Sequence, residues 1–116
     1  MKKKSKNARL KRKNEFRFHK VEFKTKRGKK YYILHPSYVF LEKGNIYIYV
    51  IITHSNNVEG HLVVKLRENP NPIDERDSFR VVEIREDTKD KFGRRIQGWK
   101  INELDREDIF EEYKKR

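Results

Sequence analysis

Two clusters in this 116-residue chain carry side chains suited to chemistry on a phosphodiester. His35 stands before Pro36 at the head of one apolar run, and Thr53, His54 and Ser55 close the next. An imidazole titrates near neutral pH and can act as general acid or base. A threonine or serine hydroxyl can hold a phosphate oxygen, and Arg80, Arg94 or Arg95 can neutralise its charge. Attack by a ribose 2′-hydroxyl on the adjacent phosphate needs a proton acceptor, a proton donor and a cation. It needs no metal. His35 and Thr53 are therefore the candidate catalytic residues, and Ser55, Arg80, Arg94 and Arg95 the candidate substrate-binding residues. The four histidines (His19, His35, His54, His61) show no zinc-ligand spacing, so no metal site is expected. No P-loop, dinucleotide fingerprint, His-Glu-x-x-His or paired-carboxylate motif occurs, and no cofactor is expected.

The elements that must position these residues form a hairpin. Residues 38–41 are Tyr-Val-Phe-Leu, and residues 46–52 set Tyr between Ile and Val. β-Branched and aromatic runs separated by Lys43-Gly44-Asn45 read as two antiparallel strands. The outer ends of such a hairpin lie side by side, so His35 and Thr53 would face each other across one ladder.

The remaining chain reads as more short strands and one helix. Residues 15–23 alternate Phe16, Phe18, Val21 and Phe23 with charged residues, which suits a first or edge strand. Residues 24–30 form a basic turn centred on Gly28. Residues 56–60 are a turn by composition, followed by a third strand over 61–66. A loop with Pro70 and Pro72 leads to a fourth strand over 78–84. Residues 85–91 read as a charged surface loop and 99–101 as a short last strand. Asp105 has capping chemistry, Ile109 and Tyr113 fall four apart, and Lys114, Lys115 and Arg116 suit a helix C-terminus. About five short strands and a final helix predict a mainly β fold. The expected form is a small SH3-like or OB-like barrel with a C-terminal α-helix.

Charge is distributed unevenly. Of the net +12, residues 1–30 hold 15 Lys or Arg against Glu15 and Glu22, a net of +13. The other 86 residues are almost balanced. A block of like charge resists packing, so residues 1–14 are expected to be a disordered basic arm and residues 15–116 one domain. Such an arm can hold phosphate backbones. Only 34% of residues are hydrophobic and 41% are charged, which allows a small core. Cysteine is absent and no apolar run approaches the roughly 20 residues of a membrane span. A soluble cytoplasmic protein is expected.

Three local features resemble the MazF/PemK-type toxin endoribonucleases. His35-Pro36-Ser37-Tyr38-Val39-Phe40 resembles that family's Arg-Pro before a hydrophobic strand. Val50-Ile51-Ile52-Thr53-His54-Ser55 resembles its strand ending in Ile-Thr-Ser. Leu104-Asp105-Arg106-Glu107-Asp108-Ile109 resembles the opening of its last helix. The resemblance implies a metal-independent endoribonuclease with Thr53 in the place of the catalytic threonine. His35 falls where the family has its catalytic arginine, which would make His35 the proton-transfer group and leave Arg80 or Arg94 to supply charge. It also implies a homodimer and an acidic antitoxin partner. The rival expectation is a non-enzymatic β-barrel of phage or mobile-element origin that binds nucleic acid, RNA or DNA. A protein-interaction module whose basic arm only solubilises it is the third.

Overall fold

The fold is taken from a computed structural model, which describes residues 9–58 and 60–116. Strands β1 (Leu10–Lys24) and β2 (Lys30–Lys43) form a long antiparallel pair, with one register break between Arg12 and Glu15. The turn between them closes through Gly28 N–H to Thr25 O at 2.9 Å and Thr25 N–H to Lys29 O at 2.8 Å. Gly28 sits at φ 83°, a conformation that disfavours a side chain. Strand β3 (Ile46–Thr53) follows across the two-residue turn Gly44-Asn45, as expected for the central hairpin. Gly44 is the first turn residue and takes φ 57°, the position where a type II′ turn needs glycine.

Beyond the hairpin come β4 (Val63–Lys65), β5 (Phe79–Val81), β6 (Arg85–Thr88), a 3-10 turn (Lys89–Lys91), β7 (Phe92–Arg95) and helix α1 (Glu103–Lys114). The fold is mainly β with one C-terminal helix. All seven strands join one antiparallel sheet in the order β4-β5-β3-β2-β1-β7, with β6 also on β3. The 3-10 turn brings β6 back to β7, yet no ladder among the described residues pairs those two strands. The sheet is therefore open at that seam rather than a closed barrel.

Several boundaries differ from those read in the sequence. The first eight residues of the expected basic arm lie outside the described residues. Leu10 to Asn14, assigned to the same arm, belong to β1, where Leu10 pairs with Lys43 and Arg12 with Leu41. β1 is the first strand, as one of the two alternatives had it, but not an edge strand, since β2 and β7 flank it. The fourth strand shrinks to β5, and the charged stretch 85–91 holds β6. Tyr47 and Tyr49 of β3 supply β6 with its pairing partners, which its own polar sequence does not announce. Residues 99–101 are not a strand; Trp99 packs edge-on against Phe16, ring centroids 5.5 Å apart. The helix starts two residues before Asp105. Its cap is Asn102, whose Oδ1 accepts from the N–H groups of Leu104 and Asp105.

Two apolar clusters lie on opposite faces of the sheet. Phe16, Tyr38, Phe40, Val50, Ile52 and Ile109 form the larger one, under α1. Phe40 meets Phe110 and Tyr113 edge-on at 5.4 and 5.9 Å. Val39, Tyr47 and Tyr49 form the other, against Phe92 of β7. β3 is thus covered on both faces, which is why its sequence is an almost unbroken apolar run. Each fully buried large side chain here contributes about 1.5–3 kcal/mol. Among the described residues no helix is long and apolar enough to cross a membrane.

Candidate nucleic-acid interface

The expected pairing of His35 with Thr53 is not made. The β2–β3 ladder runs from Lys43↔Ile46 to Ser37↔Ile51. Two more steps in that register would bring His35 opposite Thr53. Instead β3 leaves β2, and Ile52 and Thr53 pair with Arg80 and Phe79 of β5. His35 stays on β2, where its ladder partner is His19 of β1. His35 is half-buried, and burial pushes its imidazole pKa below 6.5. Thr53 Oγ1 accepts from Ser55 N–H at 3.1 Å. Ser55 Oγ in turn accepts from Asn57 N–H at 3.1 Å and donates to Asn57 O at 3.0 Å. Both hydroxyls serve the turn that ends β3.

The three candidate arginines separate. Arg80 is 2% exposed and grips Glu112 of α1 with both Nη atoms, which withdraws it from any phosphate. Arg94 and Arg95 lie exposed on β7 and form no ion pair among the described residues. Arg95 is the ladder partner of Arg17 on β1. Arg17 itself is held by Glu15 and by Gly93 O at 3.1 Å.

Sequence reasoning missed the role of His19. It is 5% exposed and lies between the rings of Tyr49 and Phe92, at 4.7 and 4.4 Å. Its Nε2 lies 3.1 Å from Asp87 Oδ2 on β6. Burial lowers its pKa by more than the Asp87 contact raises it, so the ring is neutral at pH 7. Among the described residues its Nδ1 has no hydrogen-bond partner, nor has the buried Ser37 Oγ. The phenylalanines beside His19 showed an alternating strand, but Asp87 is 68 residues away in sequence and gave no local signal.

One group of cations without ion pairs among the described residues, Lys20, Lys26, Arg27 and Lys29, sits on a feature that the topology creates. β3 leaves β2 after Ser37↔Ile51, and β7 last pairs with β1 at His19↔Phe92. From Lys20↔Leu34 to Lys24↔Lys30 the β1–β2 pair continues with neither strand joined to a third among the described residues. Four residue steps make a two-stranded ribbon of about 13 Å, plus its turn. Residues 20–35 hold six Lys or Arg against one carboxylate, Glu22. At the tip Lys26, Arg27 and Lys29 are exposed and form no ion pair among the described residues. Tyr31, Tyr32, Ile33 and Leu34 are all more than 40% exposed. The Tyr32 hydroxyl donates to Glu22 Oε1 at 3.1 Å, which raises its pKa.

Exposed lysine and arginine side chains without carboxylate partners keep their full charge for a polyanion, and exposed tyrosines beside them can meet bases. Among the described residues no group of three His, Asp or Glu side chains is placed to hold a metal ion. Comparisons with protein-family models, curated proteins and solved structures find nothing that matches this chain.

Proposed function

We propose that this protein binds nucleic acid, with RNA as its first partner, through the cationic β1–β2 ribbon. One observation carries the proposal: among the described residues Lys26, Arg27 and Lys29 form no ion pair and lie exposed at the tip of a ribbon that no further strand joins. The exposed Arg94 and Arg95 add charge on β7. Phosphate contacts of this kind release counterions, so affinity falls as salt rises. Fluorescence anisotropy with labelled RNA across a salt series tests the proposal. Changing all three tip residues to Gln in the full chain should flatten the slope of log affinity against log salt by about 2, since each single-strand phosphate contributes ~0.7. An unchanged slope overturns the ribbon as the contact surface. No binding at low salt overturns the function.

RNA cleavage of the MazF/PemK type is the second reading, favoured by one observation. The lowered pKa of His35 keeps its imidazole neutral at pH 7, ready to accept a proton, and His35 and Thr53 each lie two residues beyond Ser37↔Ile51, the last pair of the β2–β3 ladder. Under this reading the protein is a cytoplasmic toxin, a homodimer is its working form, and an acidic antitoxin segment competes with RNA for the ribbon. Incubation with mixed single-stranded RNA in excess chelator, beside His35→Ala and Thr53→Ala, decides it. Cutting that both substitutions abolish supports cleavage at this place. Absence of cutting leaves a binding protein.

A further inference from the structure

The face of the ribbon that carries Tyr32 bears on which form of nucleic acid fits. Directly paired residues of a ladder share a face, and alternate residues along a strand share it too. Lys20 pairs with Leu34, Glu22 with Tyr32 and Lys24 with Lys30. One face therefore has Tyr32 at its centre. The Lys20 ammonium lies 4.4 Å from the centre of that ring, and Lys30 Nζ lies 4.0 Å from Glu22 Oε2. Tyr32 is 53% exposed and Leu34, beside it on the same face, 61%. The bond from the Tyr32 hydroxyl to Glu22 fixes where the ring tip sits, while most of the ring stays open.

We infer that this face takes single-stranded nucleic acid, with one base stacked on Tyr32 and the flanking phosphates on Lys20 and Lys30. The inference rests on the nucleic-acid reading above. In a duplex the π-faces of the bases are hidden and only their edges show. Reading those edges calls for Asn or Gln on adenine and Arg or Lys on guanine, and on this face Lys20 lies over the Tyr32 ring and Lys30 beside Glu22. Residues 20–35 contain no Asn or Gln, and their one arginine, Arg27, is in the turn. What the ribbon does present is an exposed aromatic ring among ammonium groups, the arrangement that holds unpaired bases. Glu22 has two opposed effects. Its oxygen holds the tyrosine, and its charge repels phosphate. Glu22→Gln keeps an acceptor for the hydroxyl and removes the repulsion.

The test uses the full chain, a fluorescein-labelled unstructured single strand of roughly a dozen nucleotides, within the usual site size, and a duplex of the same length. The single strand should bind more tightly than the duplex. Tyr32→Ala should weaken single-strand binding roughly 5- to 150-fold, the span of one base stack. Tyr32→Phe keeps the ring and should stay within a factor of about 3 of the parent. Glu22→Gln should bind the single strand more tightly than the parent does. Tyr32 is exposed, so a urea midpoint for Tyr32→Ala equal to the parent's will separate lost stacking from lost fold. A duplex that binds as tightly, or a Tyr32→Ala variant that binds like the parent, overturns the inference and leaves nucleic-acid binding standing. A parent protein that binds neither strand form removes both.

Discussion

Arg80 of β5 and Glu112 of α1 meet in a two-pronged ion pair, Nη1 to Oε1 at 2.9 Å and Nη2 to Oε2 at 2.8 Å. The guanidinium is buried and the carboxylate about two-thirds so. The pair ties the small β4–β5 corner of the sheet to the helix. It also settles which of two otherwise equivalent roles a basic side chain takes here, because a guanidinium held in this way is structural.

Glu112→Ala leaves the buried guanidinium uncompensated and should cost roughly 3 kcal/mol in urea denaturation, the lower part of the range for breaking a buried pair. Replacing both partners by apolar residues, as in Arg80→Met with Glu112→Leu, should recover most of that loss. The double variant, once folded, should bind RNA with the parent's salt slope. A slope reduced by the double variant would return Arg80 to the set of phosphate contacts.

How much was legible follows from where each signal resides. β3 and its hairpin turn could be read because both faces of β3 are covered and Gly44 sits where the turn needs it. β6 could not. Arg85, Glu86, Asp87 and Thr88 have no strand pattern of their own and are extended because the outer edge of β3 needs partners there. The same limit applied to function. Arg80 and Lys26 look alike in sequence, yet Glu112, 32 residues further on, takes Arg80 out of use. The end of the β2–β3 ladder at Ser37 separated His35 from Thr53, and strand departure of that kind is decided by β5, far from either residue.

Asn102 takes the capping role expected of Asp105, and the change has an energetic signature. Asn102 caps α1, so Asn102→Ala should cost about 1 kcal/mol and Asn102→Ser almost nothing. Asp105 is 3% exposed and accepts from Arg67 N–H at 3.0 Å and from Arg67 Nη1 at 2.7 Å. Asp105→Ala strands the Arg67 backbone N–H, while the half-exposed Arg67 guanidinium keeps Asp108 at 2.9 Å, and should cost more than Asn102→Ala, about 2 kcal/mol. Urea midpoints for the three variants check the order. A larger loss for Asn102→Ala would restore Asp105 as the cap.

Stability should fall as the solution is acidified below about pH 6.5. His19 and His35 both have folded-state pKa values below the ordinary 6.5, chiefly because each is buried. For His19, Asp87 pulls the other way, while Arg85 and Lys91 add to the lowering. The unfolded chain therefore binds more protons than the folded chain in this window, and the linkage relation makes stability rise with pH. Glu15, whose burial is outweighed by Lys13 and Arg17, and Glu42, held by Lys89 and Lys13, titrate below 4.5 and enter only at lower pH. Urea midpoints at about pH 7.5 and about pH 5.5 should differ in the parent and differ less in His19→Gln. Equal pH dependence in the two proteins would show that His19 is not the buried neutral ring described above.

The ribbon gives a way to alter binding without altering the body of the fold. Gly28 and Gly98 have nearly the same φ, 83° and 82°, and a Cβ at either would meet nothing within 4 Å. An alanine at either position therefore costs only backbone strain, about 1–2 kcal/mol. At Gly28 that strain falls on the turn that sets the spacing of Lys26, Arg27 and Lys29. The ribbon there is paired on one side only, so it can open locally without unfolding the sheet. Gly28→Ala should thus weaken RNA binding several-fold and leave the urea midpoint close to the parent's. Gly98→Ala carries the same strain between β7 and α1, away from the ribbon, and should lower the midpoint while leaving RNA binding unchanged. If the two variants weaken binding equally, the shape of the tip does not govern the contact, and charge alone, wherever it lies on the surface, accounts for it.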